Sequence, residues 1–152
     1  MSTRKLILLA LACGLAILVA GSVQLLRINR GTSSTLGVGD STELATVTAK
    51  VTSGTVVGDQ VQVVVSLSVA SSATSPLDRP VIGWSLLTGG LKKPVEASGV
   101  PDGTVPSCAD IEVPVGGERE CILGFPASPT VKDTTYVTFA FAGSSATWRL
   151  GI

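Results

Sequence analysis

Two pairs of carboxylates lie two residues apart, a spacing that suits acid–base chemistry of the kind glycosidases use. Asp110 and Glu112 form the first pair, and Glu118 and Glu120 form the second. Residues two apart in a strand point to the same face. The apolar Ile111 inside the first pair favours a strand with a solvated outer face, and the second pair follows a glycine bend. We therefore predict that neither pair is catalytic.

The sequence of 152 residues contains no histidine. It therefore lacks the most common base for activating serine and cysteine nucleophiles, and the most common ligand of zinc and copper. Ser85 also lacks the closing glycine of a nucleophile elbow, because Leu87 stands there. Cys108 and Cys121 alone are too few ligands for a metal. We predict a protein that is not an enzyme and has no cofactor or metal site.

Two tryptophans and two lysines remain as candidates for contact with a partner. Trp84 and Trp148 are of a type that anchors interfaces, but both lie in alternating apolar runs, which favours a place in the core. Lys92 and Lys93 follow a Gly-Gly-Leu sequence at a predicted bend, where they are within reach of anionic head groups or wall polymers. A solvated turn is the simpler interpretation of this pair.

The distribution of charge argues against a nucleic-acid partner. Eleven basic residues balance eleven acidic ones over the whole chain. From Gly31 onward, seven basic residues stand against eleven acidic ones, a net charge of −4. A nucleic-acid-binding domain carries an excess of basic residues instead. No small-molecule substrate is evident either.

The chain begins with an apolar segment from Leu6 to Leu26 that has 21 residues and no charge. As a helix it would span about 30 Å, the thickness of the hydrocarbon core of a bilayer. We therefore predict one transmembrane helix in contact with the lipid bilayer. Ala12, Ala16 and Ala20 recur at a spacing that allows close packing of membrane helices, so they are candidates for contact with a membrane-protein partner.

Three interpretations of this segment stay open. An uncleaved signal anchor fits its length, and a cleaved secretory peptide fits the small residues Gly21 and Ser22. A lipoprotein would use Cys13, which lacks a complete lipobox. Two basic residues flank each end, so the positive-inside rule gives nearly equal support to the two orientations of the helix. The short leading tail favours a single-pass protein of the plasma membrane with a cytoplasmic N-terminus and its C-terminal domain outside.

Hydrophobic residues recur with a period of two from Leu44 to the end, which indicates strands with one buried face. Glycine, proline and aspartate clusters separate the runs. About seven to nine short strands suit an antiparallel β-sandwich. We predict a membrane anchor at 1–30, a flexible linker at 31–43 and an extracytoplasmic β-sandwich at 44–152. The alternating apolar positions are Val47, Ala49, Val51, Val61, Val63, Val65, Leu67, Val69, Ile111, Val113, Val115, Cys121, Leu123, Phe125, Val137, Phe139, Phe141, Ala146, Trp148 and Leu150.

Cys108 and Cys121 flank a segment that resembles a hairpin with its bend at Gly116 and Gly117. If the two strands pair around this bend, the cysteines lie almost opposite each other, near enough for a disulfide. Such a bond indicates an oxidising compartment outside the membrane.

The body resembles the small immunoglobulin-like domains of bacterial cell-envelope lipoproteins and secreted proteins, including the mycobacterial secreted immunogenic protein family. The matching stretches are 58–71, 81–90 with Trp84, 113–128 and 137–150. The resemblance implies an all-β, immunoglobulin-like antiparallel sandwich outside the membrane. The chain departs from the pattern where its cysteines flank one hairpin and where a longer membrane segment replaces the lipobox. Members mostly lack an assigned activity, so no functional residue follows.

These observations together predict a function of contact rather than catalysis. We expect a non-catalytic, membrane-anchored extracytoplasmic interaction module, or an accessory subunit of a bacterial envelope membrane complex. The alternative is a secreted soluble binding protein that signal peptidase releases near Gly21.

Overall fold

The computed structural model describes residues 13–14, 35–95, 104–128 and 135–152 of the chain. The chain divides into two units, Met1–Ser33 and Ser34–Ile152. Cys13 and Gly14 are helical, and Cys13 carries a free thiol. No helix within the described ranges has the length and hydropathy needed to cross a membrane. Apart from residues 13 and 14, the predicted membrane segment lies outside those ranges, as do its packing candidates Ala12, Ala16 and Ala20.

The second unit consists of two β-sheets, which confirms the prediction of an all-β, sheet-rich body. One sheet has five strands in the order β1-β9-β8-β5-β6, and the other has four in the order β2-β3-β4-β7. All neighbours are antiparallel except β1, which runs parallel to β9. The strands are β1 (Leu36–Gly37), β2 (Ser41–Leu44), β3 (Val47–Val57), β4 (Gln60–Val69), β5 (Trp84–Leu87), β6 (Leu91–Lys92), β7 (Glu118–Pro126), β8 (Tyr136–Phe141) and β9 (Ser144–Arg149).

Two tight turns set the register of the longest hairpins. Gly58 and Asp59 join β3 to β4, and the positive φ of 60° at Gly58 suits a type II′ turn. Ala142 and Gly143 join β8 to β9 with φ angles of 49° and 80°, the pattern of a type I′ turn. Because both turn types match the natural twist of paired strands, the local sequence favours these hairpins and their register.

The core lies between the two sheets and contains buried residues of both. Trp84 of β5 stacks on Phe139 of β8, with ring centroids 4.5 Å apart, and lies 5.8 Å from the ring of Trp148. The Nε1 atom of Trp148 donates a hydrogen bond of 2.9 Å to the carbonyl oxygen of Asp40. Trp84 and Trp148 are 2% and 0% exposed, so their predicted place in the core is confirmed.

The sheets begin earlier in the chain than the predicted boundary at residue 44. Residues 31–43, assigned above to a linker, contain β1 and most of β2. Leu36 pairs with Trp148 across the sheet and packs against the core. The N–H of Gly39 also donates to Val51 at 2.7 Å. This short segment is held in place by contacts with residues that are distant in the sequence. Its own composition does not predict those contacts.

The predicted hairpin around Gly116 and Gly117 is wrong. Val113 instead exchanges backbone hydrogen bonds of 2.9 and 3.0 Å with Leu77, on a different part of the chain. Gly116 has a φ of 72°, and the N–H of Gly117 returns to Pro114 in a tight turn. Val113 is fully buried, so the segment before the bend follows the core and leaves the edge of β7 free for another partner.

That partner is the segment that carries the first cysteine. Ser107 forms a parallel bridge with Ile122 of β7, and the N–H of Cys108 donates to Ile122 at 3.0 Å. This arrangement brings Cys108 beside Cys121, and the two form a disulfide. The predicted bond is therefore confirmed, although it joins β7 to a neighbouring loop and does not cross a hairpin.

We expect removal of this disulfide to destabilise the sandwich. The cysteines are 13 residues apart, and closing a loop of that size stabilises a fold by about 3 kcal/mol in the chain-entropy description. The double variant Cys108→Ala, Cys121→Ala should lower the free energy of unfolding in urea by about that amount. Reduced wild-type protein is the matched control and should show a similar loss. A loss below about 0.5 kcal/mol in both would contradict the prediction.

Candidate binding surface

The candidate acid pairs face water. Asp110 and Glu112 are exposed in the loop that follows the disulfide. Glu118 accepts a hydrogen bond of 2.5 Å from the Oγ atom of Ser66, and Glu120 pairs with Ser66 across the four-stranded sheet. These groups form a charged outer face that is fully open to solvent on one side.

Ser85 and the two cysteines of the body lie in different parts of the fold. Ser85 is half-buried on the outer face of β5, opposite Thr138 of β8. Cys108 and Cys121 are joined to each other. In the described stretches of chain, no group of three histidine, cysteine or acidic side chains could hold a metal ion.

The largest exposed aliphatic side chains cluster at one edge of the five-stranded sheet. Leu91 of β6 is 73% exposed, and Ile82, just before β5, is 62% exposed. Leu87 is 46% exposed and pairs directly with Leu91. We call Ile82, Leu87 and Leu91 the β5–β6 patch. Beside it lies a groove of about 510 Å³, lined by Val81, Ile82, Gly83, Trp84, Ser85, Leu91, Lys93 and Pro94.

The close approach of β5 to β8 directs the side chains of the patch outward. Gly83 has a φ of 93°, and a Cβ atom there would collide with the carbonyl oxygen of Ala140. The N–H of Ala140 donates to Gly83 at 2.9 Å. This contact fixes Trp84 in the core, and the alternation of the strand then places Leu87 on the outer face.

Trp84 supports the patch from beneath. Its ring stacks on Phe139 in the core, and Trp84 is also one of the residues that line the groove. The Nε1 atom of Trp84 is buried and has no hydrogen-bond partner in the described part of the chain. Packing rather than hydrogen bonding therefore holds this ring in place.

The edge of the sheet ends abruptly beside the patch. Because Gly83 bonds to β8, the backbone groups of Trp84 face the opposite way, towards β6. Lys92 lies opposite Leu86, so the position opposite Trp84 falls to Pro94, which has no N–H to donate. The chain then crosses to the other sheet, where the N–H of Val95 donates to Gly124 at 2.6 Å. Proline at this position ends the pairing of β6 with β5.

The patch lies in a basic segment of an acidic domain. Arg79, Lys92 and Lys93 are the charged residues between positions 79 and 95, and no carboxylate lies among them. The remainder of the chain from Gly31 has four basic and eleven acidic residues, a net charge of −7. Lys92 also donates from Nζ to the carbonyl oxygen of Pro126 at 3.1 Å, whereas Lys93 lines the groove.

Sequence reasoning identified the lysines of this region but not its apolar members. Leu91 lies between a Gly-Gly turn and the two lysines, and Ile82 stands before the glycine that precedes Trp84. An aliphatic residue next to a turn and a basic pair is a weak indication of an exposed apolar surface. Its exposure depends on the direction in which the turn projects. Only the pairing of Leu91 with Leu87 shows that both point away from the core.

Comparisons with known proteins show similarity in fold alone. No family model and no curated protein matches the sequence. The yjhA protein of Bacillus subtilis aligns with a TM-score of 0.57 at 9% identity, over 76% of this chain and 99% of that one. The secreted protein MPT63 of Mycobacterium tuberculosis aligns with a TM-score of 0.54 at 11% identity, over 78% and 99%. The resemblance to mycobacterial secreted proteins is therefore shown for the arrangement of strands, and no sequence family is shown.

We expect Gly83→Ala to unfold or strongly destabilise the sandwich. A left-handed φ costs a non-glycine residue about 1–2 kcal/mol, and the collision with Ala140 adds to that cost. Urea unfolding should show a loss of about 2–4 kcal/mol. Gly90→Ala is the matched control, since a Cβ there meets no atom within 4 Å, and it should change stability by about 0.5 kcal/mol at most. Equal losses for the two variants would refute this account of Gly83.

Proposed function

We propose that this protein is a non-catalytic interaction module that acts outside the cytoplasmic membrane. It is held there by its N-terminal segment and works alone or as an accessory subunit of a bacterial envelope membrane complex. The exposed β5–β6 patch with its groove carries the proposal, because it contains the two most exposed large aliphatic side chains of the described residues, Ile82 and Leu91, beside one groove. Contiguous exposed apolar surface rimmed by polar groups is typical of sites of interaction.

The disulfide supports a location outside the cytoplasm. Cys108 and Cys121 are both fully buried, and their bond links β7 to a loop. Such bonds persist in oxidising compartments and are rare in the cytosol. The similarity of fold to MPT63, which is described as a secreted protein, and the proposed immunoglobulin-like class agree with this location.

The arrangement of polar groups supports a role without catalysis. Glycosidase-type chemistry needs two carboxylates that flank a cleft. Asp110, Glu112, Glu118 and Glu120 are all exposed, and none of them lines the groove beside the patch. Ser85 does line it, but its neighbours there are apolar side chains, a lysine and a proline.

The sequence from Leu6 to Leu26 supports attachment to the membrane. Its 21 uncharged residues are the length that a helix needs to cross a bilayer. Ala12, Ala16 and Ala20 would give that helix a face of small residues for contact with a second membrane helix. The alternative, a soluble binding protein released near Gly21, uses the same surface patch without the anchor.

We expect the chain to remain in the membrane fraction after extraction with alkaline carbonate. The mass of the purified protein should then include the residues before Gly21, and protease added outside the cytoplasmic membrane should digest the sandwich. A mature N-terminus close to Gly21 or Ser22 in the soluble fraction would instead establish the secreted alternative. Resistance of the sandwich to external protease, while an external control protein is digested, would contradict the proposed orientation.

We also expect no residue to react stoichiometrically with serine-directed or carboxylate-directed activity probes. The reason is that Ser66 donates its hydroxyl proton to Glu118 on an open sheet face, where water competes for both groups. Intact-mass measurement after incubation with each probe provides the test. Labelling of one residue at one equivalent, abolished by unfolding in urea, would overturn the non-catalytic assignment.

A further inference from the structure

We propose that the β5–β6 patch, together with Lys93, is a contact surface for an anionic phospholipid bilayer. The inference rests on the proposed attachment to the membrane and names the surface that the sandwich turns towards the lipid.

The side chains of the patch have the composition of an interfacial membrane site. Leu91 pairs with Leu87 and lines the same groove as Ile82, and the two most exposed of the three, Leu91 and Ile82, have less than half of their surface covered by protein. Lys93 borders the same groove as Ile82 and Leu91. Aliphatic side chains that enter the head-group boundary beside basic residues are the pattern by which peripheral proteins bind anionic lipid. The long stem of a lysine can cover apolar surface while its ammonium group reaches a phosphate.

The charge of the domain favours this orientation over others. The segment from 79 to 95 carries three cations and is flanked by Asp78 and Glu96, and the rest of the chain from Gly31 has a net charge of −7. An anionic bilayer attracts the first region and repels the second, so the field orients the domain with the patch towards the lipid. The exposed Val56 and Val57 near the β3–β4 turn have no such basic segment around them, and the nearest charged residue is Asp59.

The local backbone disfavours the commonest protein alternative, in which a partner strand extends the sheet. β6 has only two residues, and Pro94 then removes the donor that would continue the ladder. Lys92 is tied to Pro126 at the edge of the other sheet. Lysine, proline and a very short edge strand are devices that prevent pairing between edges. Contact through side chains on the outer face remains open.

The first strand of the fold, β1, lies at nearly the same height along the strand direction as Leu87 and Leu91 of the patch. Leu36 pairs with Trp148, Trp148 with Val137, Val137 with Leu86 and Leu86 with Lys92, so these residues form one row across the sheet. The next row includes Leu87 and Leu91 of the patch.

The residues between the predicted span and the fold limit how far the sandwich can stand from the bilayer. Nine residues, 27–35, separate Leu26 from Leu36, so the two ends are at most about 35 Å apart. A weak contact at the patch then forms readily, because the attachment keeps the local concentration of lipid high.

The test places a nitroxide beside the patch in the full-length chain, reconstituted in lipid nanodiscs. A cysteine that carries the label replaces Gly90, where added atoms meet open space. The background carries Cys13→Ala, so that the other two cysteines, Cys108 and Cys121, are joined in the disulfide and do not react with the label. A second protein carries the label at Thr55, which is exposed beside Val56. Discs contain phosphatidylcholine alone or with phosphatidylglycerol. The readout is the ratio of collision rates with oxygen, which partitions into lipid, and with a water-soluble nickel complex.

We expect the ratio at position 90 to be about fivefold higher in anionic discs than in neutral ones, the factor that one basic residue near such a surface contributes. The ratio at position 55 should be the same in both. Lys93→Glu, or Ile82→Ser with Leu91→Ser, should return position 90 to its value in neutral discs. Lys50→Glu, on the outer face of the other sheet, is the matched charge control and should change nothing. Strand-rich spectra and an intact disulfide confirm that each variant is folded.

Several results would overturn the inference. One is a ratio at position 90 that does not depend on lipid charge, and another is an equal rise at positions 90 and 55. A third is protection of position 90 in native membranes but not in anionic discs, which would assign the patch to a protein partner. Failure of the chain to enter discs refutes the proposed attachment instead, and the same label mixed with anionic vesicles then decides whether the patch binds lipid.

Discussion

The stacking of Trp84 on Phe139, beside Trp148, is the contact on which the rest of the sandwich depends. These rings join β5, β8 and β9 and face the apolar residues of the other sheet. Since side chains alternate along a strand, fixing Trp84 inside also fixes Leu87 outside, and the pairing of strands carries Leu91 with it. The surface patch is thus a geometric consequence of how the core is packed.

The edge that carries the patch shows how the fold balances exposure against aggregation. A two-residue strand, a lysine bonded to the other sheet and a proline all stop further strands from pairing there. The chain crosses between sheets at the same point, through the bond from Val95 to Gly124. The edge therefore offers a very short length of backbone for pairing, while the side chains of Ile82 and Leu91 are exposed, which favours binding through side-chain contact.

Period-two alternation predicted the strands but not their neighbours. The buried apolar positions of β4, β8 and β9 were predictable from the sequence, because each strand has one face towards solvent and one towards the core. The pattern does not indicate which strands pair. The prediction therefore placed Val113 in a hairpin, whereas its backbone hydrogen bonds are with Leu77. β1 escaped notice because its pairing with β9 spans more than a hundred residues. The exposure of Leu91 depends on the preceding Gly-Gly turn and could not be derived from composition.

The stability of the sandwich does not require the patch to be apolar. A side chain as exposed as that of Leu91 leaves most of its surface in water and contributes little to folding, so a polar residue would serve the fold as well. Scattered exposed leucines are ordinary, but here Ile82 and Leu91 line one groove together with Lys93, and Leu87 pairs with Leu91. Folding explains the position of each side chain, through Gly83, Trp84 and the strand register. The proposed contact with an anionic bilayer would explain the shared chemistry of the cluster.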